Sequence, residues 1–203
     1  MKLSDLAIGK AGEYLVCADL ILNGHVAFPS EQGLPYDIVA DINGSLLKVQ
    51  VKTTSGVKQA PTRKNHMPAY VFNVKRCGKN GKQTYRVGDV DIFALVGLDS
   101  KSIAYLTTKQ AKSTMLFRNP LLRGSYRDEV RAVRSSDIRA DREIGLRNFQ
   151  IAEKYKMDKA VISRMLLKPS KYNSGCPYLD AFTLDDCLKS VAANDNQKKA
   201  RAA

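Results

Sequence analysis

Two runs of β-forming residues, 36–42 and 45–51, flank Asn43-Gly44, the dipeptide that most strongly favours a tight hairpin. Side chains alternate along a strand, so Leu47, Val49 and Val51 share one face of the second run and are expected in the core. Lys48, Gln50 and Lys52 then share the other face. On the first run Asp37, Val39 and Asp41 lie on one side, opposite Tyr36, Ile38 and Ala40. Pairing that brings the polar faces together sets Asp37 close to Gln50 and Lys52.

Upstream, residues 5–23 place Leu6, Tyr14, Leu15, Ala18, Leu20, Ile21 and Leu22 toward one side at helical spacing. Ser4 or Asp5 supplies a cap and Asn23-Gly24 a stop. Residues 25–28 read as a short strand and 29–33 as a loop. Downstream, residues 69–76 and 83–87 are expected as two strands around Gly78-Lys79-Asn80-Gly81. The continuous apolar run 91–98 predicts a buried strand that pairs with 102–106 across Asp99-Ser100. Residues 107–117 read as a short helix, broken by Asn119-Pro120.

The segment 121–134 is arginine-rich without a clean period and reads as a linker or wrapping segment. Residues 149–167 have a helix-turn-helix pattern, with Ile151, Ala152, Tyr155 and Met157 around the turn and Ile162 and Met165 on the inner face of the second helix. Asp158 can cap that helix, which leaves Lys159, Ser163, Arg164 and Lys168 facing outward. Such a helix fits the major groove, with Ser163 and Arg164 as candidate base or phosphate contacts. A plain helical hairpin would give the same pattern, and Lys156 stands where the turn usually has glycine. A last helix, capped by Thr183, is expected to run to about residue 193. The domain reading is therefore a catalytic domain over 1–117, a basic linker over 118–141, a helix-turn-helix-like region over 142–193 and a disordered tail over 194–203.

Charge sharpens this picture. The 203-residue chain carries a formal net charge of +13, a balance that points to a polyanionic partner. The bases are unevenly spread. Residues 1–57 are slightly acidic, whereas over 58–90 Lys58, Arg63, Lys64, Lys75, Arg76, Lys79, Lys82 and Arg86 face only Asp89. An acidic portion followed by a basic rim suits a metal site beside a phosphate-binding groove.

Other chemistries have too few residues. Cys17, Cys77, Cys176 and Cys187 form no CxxC pair and no Cys/His cluster, so a zinc site is not expected. His25 and His66 are too few for histidine-metal nuclease chemistry and argue against a Ser-His-Asp hydrolase. No apolar run approaches membrane-spanning length, and the start has no charged region followed by an apolar stretch. A soluble cytoplasmic protein with reduced thiols and no membrane partner is expected.

What remains is the hairpin. A carboxylate and a second oxygen ligand on neighbouring strands can hold a hard cation such as Mg²⁺, and a nearby lysine can orient a water for phosphodiester hydrolysis. Pro35-Tyr36-Asp37 followed by Gln50-Val51-Lys52 resembles the PD-(D/E)XK nuclease superfamily, in the QXK form found among intron-encoded homing endonucleases. The glutamine departs from the family's name and gives the site one less negative charge.

The resemblance implies a restriction-endonuclease-like α/β fold, an αβββαβ core with a mixed sheet, here followed by a small all-α C-terminal region. It implies Asp37, Gln50 and the Val51 carbonyl as ligands of Mg²⁺ (or Mn²⁺), with Glu13 reaching the metal through water and Lys52 positioning the attacking water. Its expected substrate is double-stranded DNA, contacted by Lys58, Arg63, Lys64, Lys75 and Arg76 as well as the helical region. A homo-oligomer, dimer or tetramer, is expected because cutting both strands needs two sites. The alternatives are a catalytically inactive nuclease-fold regulator and a structure-specific enzyme like a Holliday junction resolvase.

Overall fold

The computed structural model describes residues 3–59, 68–78, 81–123, 126–167 and 176–202. In chain order its strands are β1 (Val26–Pro29), β2 (Ile38–Ile42), β3 (Ser45–Thr54), β4 (Tyr70–Asn73), β5 (Arg76–Gly78), β6 (Gly81–Gln83), β7 (Ile92–Gly97), β8 (Ser102–Thr107) and β9 (Thr114–Phe117). Helix α1 (Asp5–Leu22) precedes them, and α2 (Tyr126–Glu143), α3 (Asn148–Tyr155), α4 (Lys159–Leu167) and α5 (Leu184–Ala202) follow. The chain forms two units, one of Met1–Leu121 with Tyr178–Ala203 and one of Leu122–Pro177.

In the first unit a five-stranded sheet has the order β1-β2-β3-β7-β8. It is mixed: β3 and β7 run parallel, and the other pairs are antiparallel. The β2–β3 hairpin turns where expected, on Asn43 (φ 53°) and Gly44 (φ 79°), a left-handed pair that this dipeptide adopts at little cost. A parallel pair needs a crossover. The one from β3 to β7 carries the short strands β4, β5 and β6 and, among the described residues, no helix.

Alternation along the strands sends Ile38, Ala40, Ile42, Val49 and Val51 to one face, where they meet Val16, Cys17 and Leu20 of α1 and Leu184 and Cys187 of α5. The other face is covered by Tyr70, Phe72 and Phe117 over Phe93, Leu95 and Leu106. Each fully buried aliphatic side chain contributes about 1.5–3 kcal/mol here.

Helix α1 begins where predicted, with Ser4 Oγ accepting the Ala7 N–H at 3.2 Å. Its buried face matches the expected one at Leu20 and, in part, at Leu15, but not elsewhere. Gly12, Val16, Cys17 and Leu20 face inward, whereas Leu6 (84 % exposed) and Leu22 (86 %) point outward. The reason is close approach. A Cβ on Gly12 would lie 1.9 Å from Thr53 Oγ1, so the helix meets β3 through its smallest residue and not through its most apolar side.

Four further expectations give way. Residues 107–117 hold no helix: Thr107 N–H and its hydroxyl both bond Gln110 Oε1 in a turn, and the chain then enters β9, which pairs with β4. The supposed linker 118–141 is largely α2, and 194–202 continues α5 instead of trailing as a tail. The strand expected over 69–76 is split, because β4 pairs with β9 while β5 pairs with β6.

In the second unit α2, α3 and α4 enclose Ile138, Ile151, Ala152, Ile162 and Met165. Asp141 of α2, buried, accepts from Lys154 Nζ at 2.7 and 2.8 Å and from the Tyr155 hydroxyl at 2.7 Å. The Lys154 ammonium, with the Tyr155 hydroxyl, holds the Asp141 carboxyl below the usual aspartate range. Asp158 caps α4 as expected, its Oδ1 accepting the Ala160 N–H at 2.7 Å. Between α3 and α4 Lys156 is left-handed, at φ 51° and ψ 47°. A side chain there costs about 1–2 kcal/mol, against which glycine's extra freedom in the unfolded chain counts. Lys156→Gly is therefore expected to stabilise these helices by about 0.5–1 kcal/mol, read as a higher urea midpoint by circular dichroism. A lower midpoint would contradict it.

Candidate active site

Asp37 stands at the entrance to β2, its backbone tied on both sides. Its N–H donates to Val49 O at 3.0 Å, and its C=O accepts from Ser30 N–H at 2.9 Å. Ser30 Oγ in turn donates to Tyr36 O at 2.6 Å. Since Ile38 pairs with Val49, the next rung sets Asp37 opposite Gln50, as the hairpin register requires.

The side chains complete the contact. Asp37 Oδ2 accepts the Val51 N–H at 2.8 Å and also the Gln50 amide N–H. The same Gln50 Nε2 donates to Val51 O at 3.1 Å. Gln50 is only 6 % exposed, so this amide is satisfied within the protein. A carboxylate oxygen and a carbonyl oxygen thus converge on one small group that carries partial positive charge.

Lys52, one pleat further along β3, is on the same face as Gln50. Its ammonium lies 5.5 Å from the centre of the Tyr85 ring, which packs edge-on against Phe93 with centroids 5.1 Å apart. From the other side Glu13 follows Gly12 on α1, the point where the helix presses on Thr53. Lys10 Nζ lies 2.7 Å from Glu13 Oε2. Burial pushes the Asp37 carboxyl above the usual aspartate range, and the Glu13 charge adds to this. The Val51 N–H, Lys52 and Lys10 pull the other way without cancelling it. A buried carboxyl with a second one nearby is short of positive charge.

Among the described residues no three His, Cys, Asp or Glu side chains group to hold a metal. The oxygen atoms available are those of Asp37, the Val51 carbonyl, the Gln50 amide and Glu13, a donor set that suits a hard cation. Among the described residues no thiol takes part. Cys17 and Cys187 are buried, and burial pushes the Cys187 thiol up to about 12.

The expected DNA contacts fall in both units. Lys58 is exposed and bridges to Ala69 through its backbone, at 2.8 and 3.1 Å. Lys75 is half-buried, and Arg76 is exposed with its guanidinium 3.4 Å from Gly33 O. In the second unit Lys159 and Arg164 are exposed, Arg164 Nε donating to Ala160 O at 3.2 Å. Ser163 Oγ accepts from Asn148 Nδ2 at 2.9 Å. Arg63, Lys64 and Lys168 lie outside the described residues. Sequence reasoning passed over Lys10 and Gly12. The signal was present in Lys10 standing three residues before Glu13, the spacing at which helical charges meet.

The family model described as PD-(D/E)XK endonuclease matches residues 4–120, more than half of the 203-residue chain. The chain belongs to the PD-(D/E)XK endonuclease family. The match takes in Glu13, Asp37, Gln50 and Lys52, so the side chains that meet in the first unit are carried by the PD-(D/E)XK region. PD-(D/E)XK nucleases generally use divalent metal ions. Among solved structures, that of a bacterial homing endonuclease, I-Ssp6803I, is similar at 21% identity and a TM-score of 0.47, covering 57% of this chain and 78% of that one. No curated protein matches the chain significantly. Among the described residues of this PD-(D/E)XK protein no helix is long and apolar enough to cross a membrane.

Proposed function

We propose that the protein is a Mg²⁺-dependent endonuclease acting on double-stranded DNA in the cytoplasm, at a sequence-defined site as homing and restriction enzymes do. The observation that carries this is the convergence of Asp37 Oδ2 and the Val51 carbonyl on the Gln50 side-chain amide, with Lys52 on the same face. Asp37 and the Val51 carbonyl would hold the cation. Gln50, turned about its terminal bond, would offer Oε1 in place of Nε2.

When bound, the cation supplies Lewis-acid stabilisation of the charge that develops on the phosphate. Glu13 accepts hydrogen bonds from water at the α1 side of Asp37. Lys52 orients the attacking water and donates to the phosphoryl oxygen as it becomes more negative. The basic crossover tracks the backbone, and the exposed Lys159 and Arg164 of α4 grip the duplex. Cutting both strands calls for two copies of the site and so for a homo-oligomer.

Supercoiled plasmid incubated with the protein and Mg²⁺ or Mn²⁺ is expected to be nicked and then linearised, with EDTA lowering the rate at least about 100-fold. Binding without nicking in every lane would overturn the reading in favour of a regulator that keeps the nuclease fold. Preference for four-way junctions regardless of sequence would favour a resolvase.

A further inference from the structure

We propose that Tyr85 is a positioning residue for the reaction, the face of its ring holding the Lys52 ammonium toward the Asp37–Gln50 site. The inference rests on the nuclease reading above and names a residue outside the family's two-part signature. Lys52 Nζ is 5.5 Å from the ring centre, within the reach at which an ammonium is drawn to the negative face of an aromatic ring. The ring itself is anchored. It meets Phe93 edge-on, at 5.1 Å and 71°, and Phe93 is 3 % exposed.

Phe93 is also the register partner of Gln50 across the parallel β3–β7 pair, as Leu95 is of Lys52. The contacts therefore close a circuit. Gln50 fixes Phe93 through the ladder, Phe93 fixes Tyr85, and Tyr85 faces the lysine two residues beyond Gln50. Lysine has a flexible four-carbon stem, and an ammonium left to wander would have to be ordered at each turnover. A ring suits this position better than a carboxylate would. It attracts the ammonium without adding an anion where a phosphate must approach.

The test measures kcat and KM for nicking by wild type, Tyr85→Phe, Tyr85→Leu, Lys52→Ala and the Lys52→Ala/Tyr85→Leu double variant. Tyr85→Phe keeps the ring and is expected within about two-fold of wild type, whereas Tyr85→Leu is expected to lower kcat about ten-fold with KM unchanged. In the Lys52→Ala background Tyr85→Leu is expected to cost nothing further, because the ring acts through the lysine. An undiminished loss in that background, or failure of phenylalanine to restore the rate, overturns the proposal.

If Lys52→Ala is too slow to follow, the ε-methylene protons of lysine decide by NMR. One ring-shifted resonance is expected in wild type and Tyr85→Phe, absent from both Tyr85→Leu and Lys52→Ala. Its absence from wild type overturns the proposal. Wild-type protein that never nicks DNA overturns the nuclease reading itself, an outcome distinct from a normal rate in Tyr85→Leu, which removes only the role of the ring.

Discussion

Asparagine in place of Asp37 is expected to lower nicking by about 10³-fold or more while leaving the metal-free protein at least as stable as wild type. The two effects have opposite causes. Activity is lost because the carboxylate is the one full charge among the atoms that converge between β2 and β3. Stability is kept because that charge is a burden in the metal-free protein, where burial and Glu13 push the Asp37 carboxyl above its usual range. A single asparagine oxygen can accept the hydrogen bonds now made to Oδ2 by the Val51 N–H and the Gln50 amide.

The pH dependence follows from the same shift. Asp37 holds its proton more tightly in the folded protein than in the unfolded chain. Between the ordinary aspartate value and the raised folded one, the native state therefore binds more protons, and stability falls as pH rises through that window. The asparagine variant lacks this contribution. Thermal melts at stepped pH in EDTA check it: wild type is expected to show the slope and Asp37→Asn to show less of it. A variant that melts well below wild type throughout would show that the carboxylate supports the empty fold, against the argument made from burial.

Much of the first unit could be read from residue order because its cues are local. Asn43-Gly44 sets the hairpin register, the register sets Asp37 against Gln50, and the apolar run of β7 needs no partner to announce itself. The exposed side of α1 misled because hydrophobic spacing weighs side chains by size, whereas the approach to β3 selected Gly12 for having none. Strand β9 was missed since its partner, β4, lies some forty residues away, and four residues without that partner read equally as helix. Helix α2 escaped for a different reason. Its sequence is so rich in arginine and aspartate that few apolar positions, Ile138 among them, mark its inner face. At the site itself the residue types were legible, but the bonding of Gln50 was not. Spacing places the amide beside Asp37 without saying which end of it faces the carboxylate.

That end matters most for Gln50→Glu, which restores the acid of the family's name and is expected to destabilise the protein in EDTA by about 3 kcal/mol or more. Ionised glutamate cannot donate. The Gln50 N–H that now answers both Asp37 Oδ2 and Val51 O would be replaced by a second carboxylate at a position only 6 % exposed. Either two like charges face each other out of water or one of them takes up a proton, and both are costly at neutral pH. A divalent cation offsets most of this cost, because the extra charge now serves it. If affinity tightens so that free Mg²⁺ stands about 100-fold above the new Kd, binding returns about 2.7 kcal/mol. Melting temperature followed against Mg²⁺ should therefore climb from a lower start and more steeply in Gln50→Glu than in wild type. Equal stability in EDTA, or equal response to Mg²⁺, would sink the assignment of Gln50 to the cation. On this account the amide serves both states. Gln50 Nε2 donates to both Asp37 Oδ2 and the Val51 carbonyl, so under the proposed metal binding the amide would turn to offer its oxygen, a neutral ligand in place of a carboxylate.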